Sequence, residues 1–575
     1  MPSFSTILEE AAAQSPDKRL FVFPETRSRP AETLTYGDLA SHARAAAYVL
    51  ALHARRGDRA VLMFPTGSAF WEAFFGCLAH GVIAVPVNIP NLNRSSEMLR
   101  QVCRDCSPAV LMTDSRTADL LQRRADRHPW FDGLRVITPD DWRGNPGCAA
   151  IEASRGSETA FLQYTSGSTA RPKGVQVSHD NLLANAEMIR RAMGIRTGGD
   201  IGVTWLPHYH DMGLVGSYLE TLFTRNTTWC LQPEDFVLNP AMWLRLISEH
   251  QAGICGGPDF AYRLCFEKCG ADEIGNIDLS SWRVAYIGAE RIREQTLHRF
   301  SEKFAAAGFR KSAFFPCYGL GEATLLATGG PAESDPVIRS VSVSALGDNL
   351  VLPPKSDADT IRLVGSGSTI DGCRVMILDS VSLCPLDDEH VGEIFLSGAS
   401  VTDGCFHDSA ASEAVLRALT PGGTSQRYLR TGDLGFVSAG QLFVTGRTRE
   451  IIIVRGRNLY PDDIEQHISQ AHDTVEPGGI AAFGVDVDGQ ESLVIAAELR
   501  RTAVNLSSPE SVMSKLRHLV TEGFGISPAD ILLLRPASIP RTSSGKLKRV
   551  ELRNLYSAGT LESLFRQNSE PAGGQ

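Results

Sequence analysis

The length, composition and charge of the chain exclude several classes of protein. With 575 residues, 43% of them apolar and 21% charged, it is too long for one hydrophobic core, so at least two domains are expected. A net charge of -10, without a dense run of lysine and arginine, argues against nucleic-acid binding.

The N-terminus and the apolar stretches favour a cytoplasmic enzyme. Acidic residues, Glu9 and Glu10, stand where a signal peptide would be basic and then apolar. No stretch reaches the length of a membrane-spanning helix. The 12 cysteines are scattered, and their one close pair, Cys103 and Cys106, lacks the second ligand pair that a zinc site needs. Reduced thiols are therefore expected.

The first elements alternate between helix and strand patterns. Residues 3–15 predict an amphipathic helix, and Leu34–Leu39 begins another. Gly57–Phe64 is typical of a strand, Ala69–His80 of a helix and Val82–Val87 of a strand. This order predicts a parallel sheet with helices on its faces.

A loop rich in hydroxyl groups and glycine follows. Ala160–Tyr164 predicts a buried strand, and Ser178–Arg191 predicts a helix. Between them, the hydroxyls, glycines and lysine of Tyr164–Gly174 could converge on a polyphosphate, since backbone N–H groups in such a turn are free to bind anions. The GxxxxGK[ST] spacing of the usual P-loop is absent. Taken alone, such a loop could also be a linker.

Five later segments accompany this loop. They are Trp205–Leu214, Tyr318–Thr324, Tyr428–Gly435, Val454–Glu465 and Pro540–Lys546. The loop together with the second, third and fifth of these, in this order, resembles the adenylate-forming superfamily of acyl-CoA synthetases, luciferases and nonribosomal adenylation domains. The other two segments are most similar to the fatty acyl-AMP ligases. The resemblance spans almost the whole chain.

The resemblance implies a fold and a domain division. The fold is α/β, with a large N-terminal domain of α/β subdomains plus a small β-barrel-like subdomain over residues 1–448. A small mobile α+β C-terminal domain covers residues 449–575, and Glu450–Val454 predicts its first buried strand. Arg449 matches the hinge position of the family. By composition alone Arg449 would be a surface arginine.

The segment between Glu322 and Gly365 is longer than in acyl-CoA synthetases. Within it, Val337–Ser344 alternates apolar and polar residues in its later part, and Gly347–Asn349 precedes the apolar Leu350–Leu352. This pattern predicts a β-hairpin. The fatty acyl-AMP ligases resemble it in carrying an insertion here, one thought to hinder CoA-dependent chemistry. The alternative is a tolerated surface loop, since insertions cost little entropy.

The implied first half-reaction is attack of a carboxylate on the α-phosphorus of ATP, which gives an acyl adenylate and pyrophosphate. By resemblance, Glu322 binds Mg²⁺, Tyr318 packs on adenine, and Asp433 accepts hydrogen bonds from the ribose hydroxyls with help from Arg447. The full nucleotide-binding set is Thr165, Ser166, Gly167, Ser168, Thr169, Lys173, Gly288, Ala289, Glu290, Tyr318, Gly319, Asp433 and Arg447. Outside their motifs, Glu322 could cap a helix, Tyr318 could be a core residue and Asp433 a turn residue.

The catalytic candidates are Lys546, His210 and Glu322. Lys546 would bridge the carboxylate and the α-phosphate as negative charge builds, whereas its neighbours Lys548 and Arg549 are expected to be solvated. His210 matches a position that gates acyl entry in relatives; His208 and His210 without further ligands make a poor metal site. The acyl-binding set is Trp205, His210, Asp211, Met212 and Gly213. Its apolar members would suit an ordinary core equally well.

Two residues depart from common family patterns. Ala170 stands where many relatives have glycine, and Gly321 stands where acyl-CoA synthetases often have threonine. Loss of that glycine could stiffen the phosphate loop, although the fatty acyl-AMP ligases vary there too. The ligases commonly have a small residue at the position of Gly321, so this change favours that subfamily.

The resulting hypothesis is a fatty acyl-AMP ligase that uses ATP and Mg²⁺ and passes its acyl group to a separate acyl carrier protein. A carrier motif of the form Gly-Gly-x-Ser is absent from the C-terminal region. An acyl-CoA synthetase is the main alternative, identical in its first step. An amino-acid-activating enzyme is a third, in which Asp211 would bind an ammonium group. A silent adenylate-binding regulator is disfavoured because Lys546, Glu322 and Asp433 are all present.

Overall fold

A computed structural model describes most of the chain. The described residues are 3–26, 29–90, 96–125, 128–131, 133–144, 155–165, 172–416, 418–419, 427–469, 474–487, 489–503, 508–542 and 545–568.

Strands and helices alternate through much of the first part. In chain order the strands are β1 (Arg19–Phe23), β2 (Glu32–Thr35), β3 (Arg59–Met63), β4 (Ile83–Pro86), β5 (Val110–Thr113), β6 (Arg135–Ile137), β7 (Thr159–Thr165), β8 (Lys173–Ser178), β9 (Ile201–Thr204), β10 (Thr227–Cys230), β11 (Ile254–Gly257), β12 (Val284–Ile287), β13 (Phe314–Gly319), β14 (Leu326–Gly329), β15 (Ile338–Ser342), β16 (Thr360–Val364), β17 (Ser368–Thr369), β18 (Cys373–Leu378), β19 (Gly392–Gly398), β20 (Ala418–Leu419), β21 (Arg427–Ser438), β22 (Gln441–Arg447), β23 (Ile452–Val454), β24 (Arg457–Leu459), β25 (Val475–Val487), β26 (Gln490–Leu499), β27 (Asp530–Leu534) and β28 (Phe565–Asn568).

The helices are numbered in the same way. They are α1 (Phe4–Gln14), α2 (Tyr36–Ala51), α3 (Ser68–His80), α4 (Glu97–Cys106), α5 (Ser115–Arg123), α6 (Pro139–Arg143), α7 (His179–Ala192), α8 (Asp211–Gly213), α9 (Glu220–Phe223), α10 (Pro233–Leu238), α11 (Ala241–Glu249), α12 (Asp259–Lys268), α13 (Ala271–Ile274), α14 (Glu294–Phe304), α15 (Val343–Gly347), α16 (Ser409–Leu416), α17 (Pro461–Ser469), α18 (Pro509–Phe524) and α19 (Arg549–Ser557). A π-helical turn, Leu214–Leu219, joins α8 to α9 without interruption.

The contacts divide the chain into two compact units. Unit 1 comprises Met1–Val337, Ser366–Val375 and Leu396–Arg430, and unit 2 comprises Ile338–Gly365, Met376–Phe395 and Thr431–Gln575. The boundary expected between residues 448 and 449 stays a prediction.

Unit 1 contains two largely parallel sheets. One has six strands in the order β6-β5-β3-β4-β7-β8, and the other has nine in the order β17-β14-β13-β12-β11-β9-β10-β1-β2. The predicted α/β class with a parallel sheet is confirmed. Helix α3 is buried along almost its whole length, and its aromatic side chains contact both sheets: the ring centroids of Trp71 and Phe21 are 5.1 Å apart, and those of Phe74 and Phe161 are 6.1 Å apart.

The predicted helices and strands of this region are confirmed with small shifts in their ends. Helix α7 begins at His179 because Ser178 caps it: the Ser178 hydroxyl accepts a hydrogen bond from the Asn181 N–H, and the Asn181 side chain accepts one from the Ser178 N–H. The strand expected over Gly57–Phe64 is β3, and the helix expected to begin within Leu34–Leu39 is α2. Within the described residues no helix is long and apolar enough to cross a membrane.

In unit 2 the four-stranded sheet β25-β26-β27-β28 carries helices on both faces. Ile495 and Leu533 pack against α17 and α18 on one face, and Phe483 and Ala496 pack against Leu552 of α19 on the other. The strand expected at Glu450–Val454 is the shorter β23, which pairs with β24.

The hairpin expected within Val337–Leu352 is wrong. Strand β15 instead pairs with β16, and α15 follows it directly. The reason is local: the Ser342 hydroxyl accepts the Ala345 N–H and ends the strand by capping a helix. Leu346 and Val351 are buried in a cluster with Phe436, Phe443 and Tyr460.

Candidate functional site

Most candidate residues of unit 1 follow parallel strands of the nine-stranded sheet. The segment that begins at Trp205 follows β9, Gly288 follows β12, and Tyr318 lies at the end of β13. Parallel strands present their carboxyl ends at one edge, which is where ligands bind in open α/β sheets. The fold therefore brings the predicted acyl and adenine segments to one edge.

Two glycines at this edge allow close backbone approaches. A Cβ atom on Gly288 would lie 2.6 Å from the Cys317 carbonyl oxygen, and one on Gly319 would clash with the Leu325 carbonyl. The residue after Gly288, Ala289, has a φ of +65°. These approaches involve residues beside Tyr318 in the chain, whose side chain is 9% exposed.

Glu290 contacts the N-terminus of a helix. Its carboxylate accepts a hydrogen bond of 2.8 Å from the Phe260 N–H in the first turn of α12. A negative charge at a helix N-terminus is favourable, so this carboxylate also orders the loop after β12.

The strands that flank the predicted phosphate loop pair with each other. Thr165 pairs with Lys173, and Tyr164 pairs with Gly174, in the antiparallel ladder of β7 and β8. A Cβ on Gly174 would lie 2.8 Å from the Tyr164 ring, so glycine is required there. Ser166, Gly167, Ser168, Thr169 and Ala170 lie outside the described residues, as does the side chain of Thr165.

Glu322 lies next to the base of this loop. It belongs to the helical turn Gly321–Ala323, which contacts β8, and its carbonyl accepts the Thr402 N–H at 2.9 Å. Burial raises the pKa of the Cys405 thiol to about 11; the charge of Glu322 acts in the same direction and that of Lys173 acts against it. Glu322 and Lys173 thus both lie within electrostatic reach of Cys405.

This arrangement suits a magnesium ion. Within the described part of the chain, no group of three His, Cys, Asp or Glu side chains could hold a metal ion by itself. Mg²⁺ usually binds through one or two carboxylates together with substrate phosphates and water. A single carboxylate at Glu322, beside a phosphate loop, fits that requirement.

The predicted acyl-binding segment turns tightly into α8. A Cβ on Gly213 would clash with the Pro207 carbonyl, and the Asp211 carboxylate accepts the Met212 N–H at 2.7 Å. The Gln163 amide of β7 donates to the Tyr209 carbonyl at 3.0 Å. Gln163 therefore ties this segment to the strand before the phosphate loop, a link that the lone polar residue within Ala160–Tyr164 could have signalled.

The two histidines of this segment lie in different surroundings. His208 is buried against the Phe70 ring, with 4.1 Å between centroids, and burial lowers the pKa of its imidazole to about 3. His210 is partly exposed at the N-terminus of α8. Trp205 stacks on Phe236 at 4.1 Å within an aromatic cluster.

In unit 2 the predicted ribose-binding residues form a pair. Asp433 and Arg447 lie opposite each other on β21 and β22, and the Arg447 Nε lies 3.2 Å from the Asp433 Oδ1. Gly432, with a φ of +73°, turns the chain before Asp433. Arg449 is exposed two residues after Arg447.

Lys546 closes a tight turn. Its N–H donates to the Thr542 hydroxyl at 3.0 Å, and its carbonyl accepts the Thr542 N–H at 2.8 Å. Gly545, with a φ of +86°, makes the turn possible. Ser543 and Ser544 lie outside the described residues.

The expectation that Arg549 is solvated is wrong. Its side chain is 11% exposed and donates to Glu465 and Asp462 at 2.7 and 2.6 Å, and also to Glu450. The reason is tertiary, because α19 brings Arg549 against the acidic residues of α17. The acidic residues in the Val454–Glu465 run were the available signal. Lys548, the residue before α19, makes an ion pair with Glu551 of that helix.

Comparisons with known proteins match this chain to one enzyme family and to a similar ligase. The sequence model of the family described as AMP-binding enzyme matches residues 8–406. The medium-chain-fatty-acid–[acyl-carrier-protein] ligase JamA of Moorena producens (strain JHB) is 33% identical over 572 residues, which is 98% of this chain and 96% of that protein.

Two solved structures are similar to this chain over almost its whole length. A structure from a study of fatty acyl-adenylate ligases from E. coli and L. pneumophila has a TM-score of 0.87 at 32% identity, covering 97% of this chain and 98% of that one. A fatty acyl-adenylate ligase from L. pneumophila, in complex with acyl adenylate and pyrophosphate, has a TM-score of 0.74 at 32% identity, covering 98% of both chains.

Proposed function

The chain belongs to the AMP-binding enzyme family, and we propose that it uses ATP to activate a fatty or related carboxylic acid and passes the acyl group to a separate acyl carrier protein. The observation that carries the proposal is that two predicted site segments contact the strands that flank the predicted phosphate loop. The turn containing Glu322 contacts β8, which begins at Lys173, and the segment from Pro207 to Gly213 is hydrogen-bonded to β7. The similarity to a medium-chain-fatty-acid–[acyl-carrier-protein] ligase supports the choice of acid and acceptor.

In the first step a carboxylate oxygen attacks the α-phosphorus of ATP. The bond from that phosphorus to the oxygen shared with the β-phosphate breaks, and pyrophosphate leaves. We assign the β- and γ-phosphates to the loop that Thr165 and Lys173 anchor, and Mg²⁺ to Glu322. Bound Mg²⁺ would neutralise phosphate charge.

The remaining roles follow from residue chemistry. Tyr318 offers a ring face to adenine, and Asp433, held by Arg447, offers carboxylate oxygens to the ribose hydroxyls. Lys546 supplies a positive charge where negative charge builds between the two anionic reactants. His210, at the entrance of α8, gates the acyl group.

In the second step the phosphopantetheine thiol attacks the acyl carbonyl, loses its proton, and displaces AMP. We propose a carrier protein rather than CoA as the acceptor because the inserted segment is fastened within unit 2. Val343 packs against the cluster that contains Ile452 and Ile464, and the Asn458 amide donates to Asn349 at 3.0 Å. We also propose a cytoplasmic location and no nucleic-acid partner, on the grounds of charge and composition.

The test is product analysis by mass spectrometry. Purified protein receives ATP, Mg²⁺, a series of fatty acids, excess CoA and a phosphopantetheinylated carrier protein. We expect acyl-AMP and acyl-carrier protein, with little acyl-CoA. Abundant acyl-CoA would identify a synthetase, and failure to release pyrophosphate with every acid would refute the proposed activity.

A further inference from the structure

A small cavity lies beneath the helical stretch that begins at the predicted acyl-binding segment. It lies between this stretch and the nine-stranded sheet, and its volume of about 30 Å³ can hold a water-sized polar group. Its polar lining residues are Thr204, Ser217, Glu220, Thr224, Asn226 and Tyr286, among others.

Glu220 is the exceptional member of this lining. Its side chain is 3% exposed, and neither carboxyl oxygen has a hydrogen-bond partner. Its neighbours are satisfied: the Ser217 and Tyr286 hydroxyls lie 2.8 Å apart, and the Asn226 amide donates to Thr224 at 3.0 Å. A buried carboxyl without a hydrogen-bond partner is costly, so this one is suited to binding a polar group.

The protonation state of Glu220 defines what it can bind. Burial raises the pKa of its carboxyl well above the ordinary value; the charge of Arg190 on α7 opposes this and that of Glu187 reinforces it. The raised pKa favours the neutral carboxylic acid, which has one O–H donor and acceptor oxygens. This combination of one donor and several acceptors complements a hydroxyl group, which also donates and accepts hydrogen bonds.

Part of the cavity lining lies next to the predicted acyl and adenine segments. Thr204 directly precedes Trp205, and Tyr286 lies two residues before Gly288. Glu220 lies ten residues after His210 on the continuous stretch that starts at α8. At 1.5 Å per residue, Glu220 is roughly 15 Å from His210 along the helix axis. A medium-length acyl chain can span that distance.

We propose that Glu220, with Ser217 beside it, is a specificity-determining residue that binds a hydroxyl group carried by the acyl chain far from its carboxylate. The enzyme then prefers hydroxylated acids to unsubstituted ones of equal length. This inference rests on the proposed function and narrows its substrate class. A plain alkyl chain leaves the Glu220 carboxyl unpaired, so we expect a preference of about tenfold or more.

The test compares saturated fatty acids with their ω-hydroxy counterparts over a series of chain lengths. ATP–pyrophosphate exchange gives kcat/KM for each acid. At the best chain length, we expect the wild-type kcat/KM for the hydroxylated acid to exceed that for the plain acid by about tenfold or more. Glu220→Leu should bring that ratio close to one, and Glu220→Gln, which keeps a donor and an acceptor, should retain most of it.

The matched control is Glu302→Leu. Glu302 is exposed on α14, pairs with His298 and does not line the cavity, so this variant should keep the wild-type ratio. A wild-type ratio near one at every length, or an unchanged ratio in Glu220→Leu, would overturn the inference. If Glu220→Leu does not fold, the ratios measured for the wild type and for Glu220→Gln test the inference, and a value near one in the wild type overturns it. Absence of exchange with every acid would instead refute the proposed function.

Discussion

At Gly213 and Gly319 the backbone comes so close to another carbonyl that no side chain can be accommodated. Glycine in a motif is often explained by turn conformation, yet neither residue has a positive φ. Their requirement is steric and depends on Pro207 and Leu325, which approach only in the folded chain. The sequence marks such positions without showing what they contact.

Lys546→Ala tests the charge that we assign to the reacting centre. Pyrophosphate release should fall by about 10²–10³-fold, because the lysine acts on charge that develops in the transition state. ATP binding, measured by titration calorimetry, should change little. Lys548→Ala is the matched control, since Lys548, the residue before α19, pairs with Glu551 of that helix. Near-normal pyrophosphate release from Lys546→Ala would remove this residue from the mechanism.

Among the elements, α2, α3 and α6 meet at one buried carboxylate. Glu72 of α3 accepts hydrogen bonds from Trp142 at 2.8 Å and from Arg143 at 2.7 Å, and it pairs with His42 at 3.1 Å. Burial opposes ionisation, but the bonds from His42, Arg143 and Trp142 outweigh it and lower the pKa of Glu72 to about 2. The carboxylate therefore links three helices.

Glu72 should make the protein sensitive to acid. Because its folded pKa is depressed, its contribution is present above the ordinary value of 4.5 and is lost as pH falls toward 2. Between about pH 4.5 and 3 the wild type should lose about 1.5 kcal/mol of unfolding free energy more than Glu72→Gln, because the slope reaches about 1.36 kcal/mol per pH unit only between the two pKa values. Urea unfolding at several pH values measures this. Glu302→Gln, at an exposed site on α14, should match the wild type, and equal acid sensitivity in Glu72→Gln would contradict the assignment.

At the scale of the whole molecule, the inserted segment is part of the folded core of unit 2. Val341, Leu346 and Val351 are buried with Phe436, so deleting residues 337–352 would remove core side chains as well as the insertion. A sharper experiment loosens only the attachments formed by Val343 and Asn349.

The double variant Val343→Ser, Asn349→Ala should increase the fraction of acyl-CoA in reactions that contain excess CoA. The reason is that the segment would no longer hold the part of unit 2 that contains Ile452 and Asn458. Adenylate formation should be preserved, and mass spectrometry measures both products. Leu352→Ser, at an exposed position of the same segment, is the control. If the double variant yields the wild-type product ratio, the insertion does not select the acceptor.

The sequence by itself determined the α/β class and the start of α7, because periodicity and capping residues are local properties. The tertiary structure alone decided that β15 pairs with β16, that Arg549 is buried among Glu450, Asp462 and Glu465, and that Glu220 lines a cavity without a partner. These outcomes depend on residues far apart in the chain. Burial and partnership are set by packing, which a linear pattern of residue types does not contain.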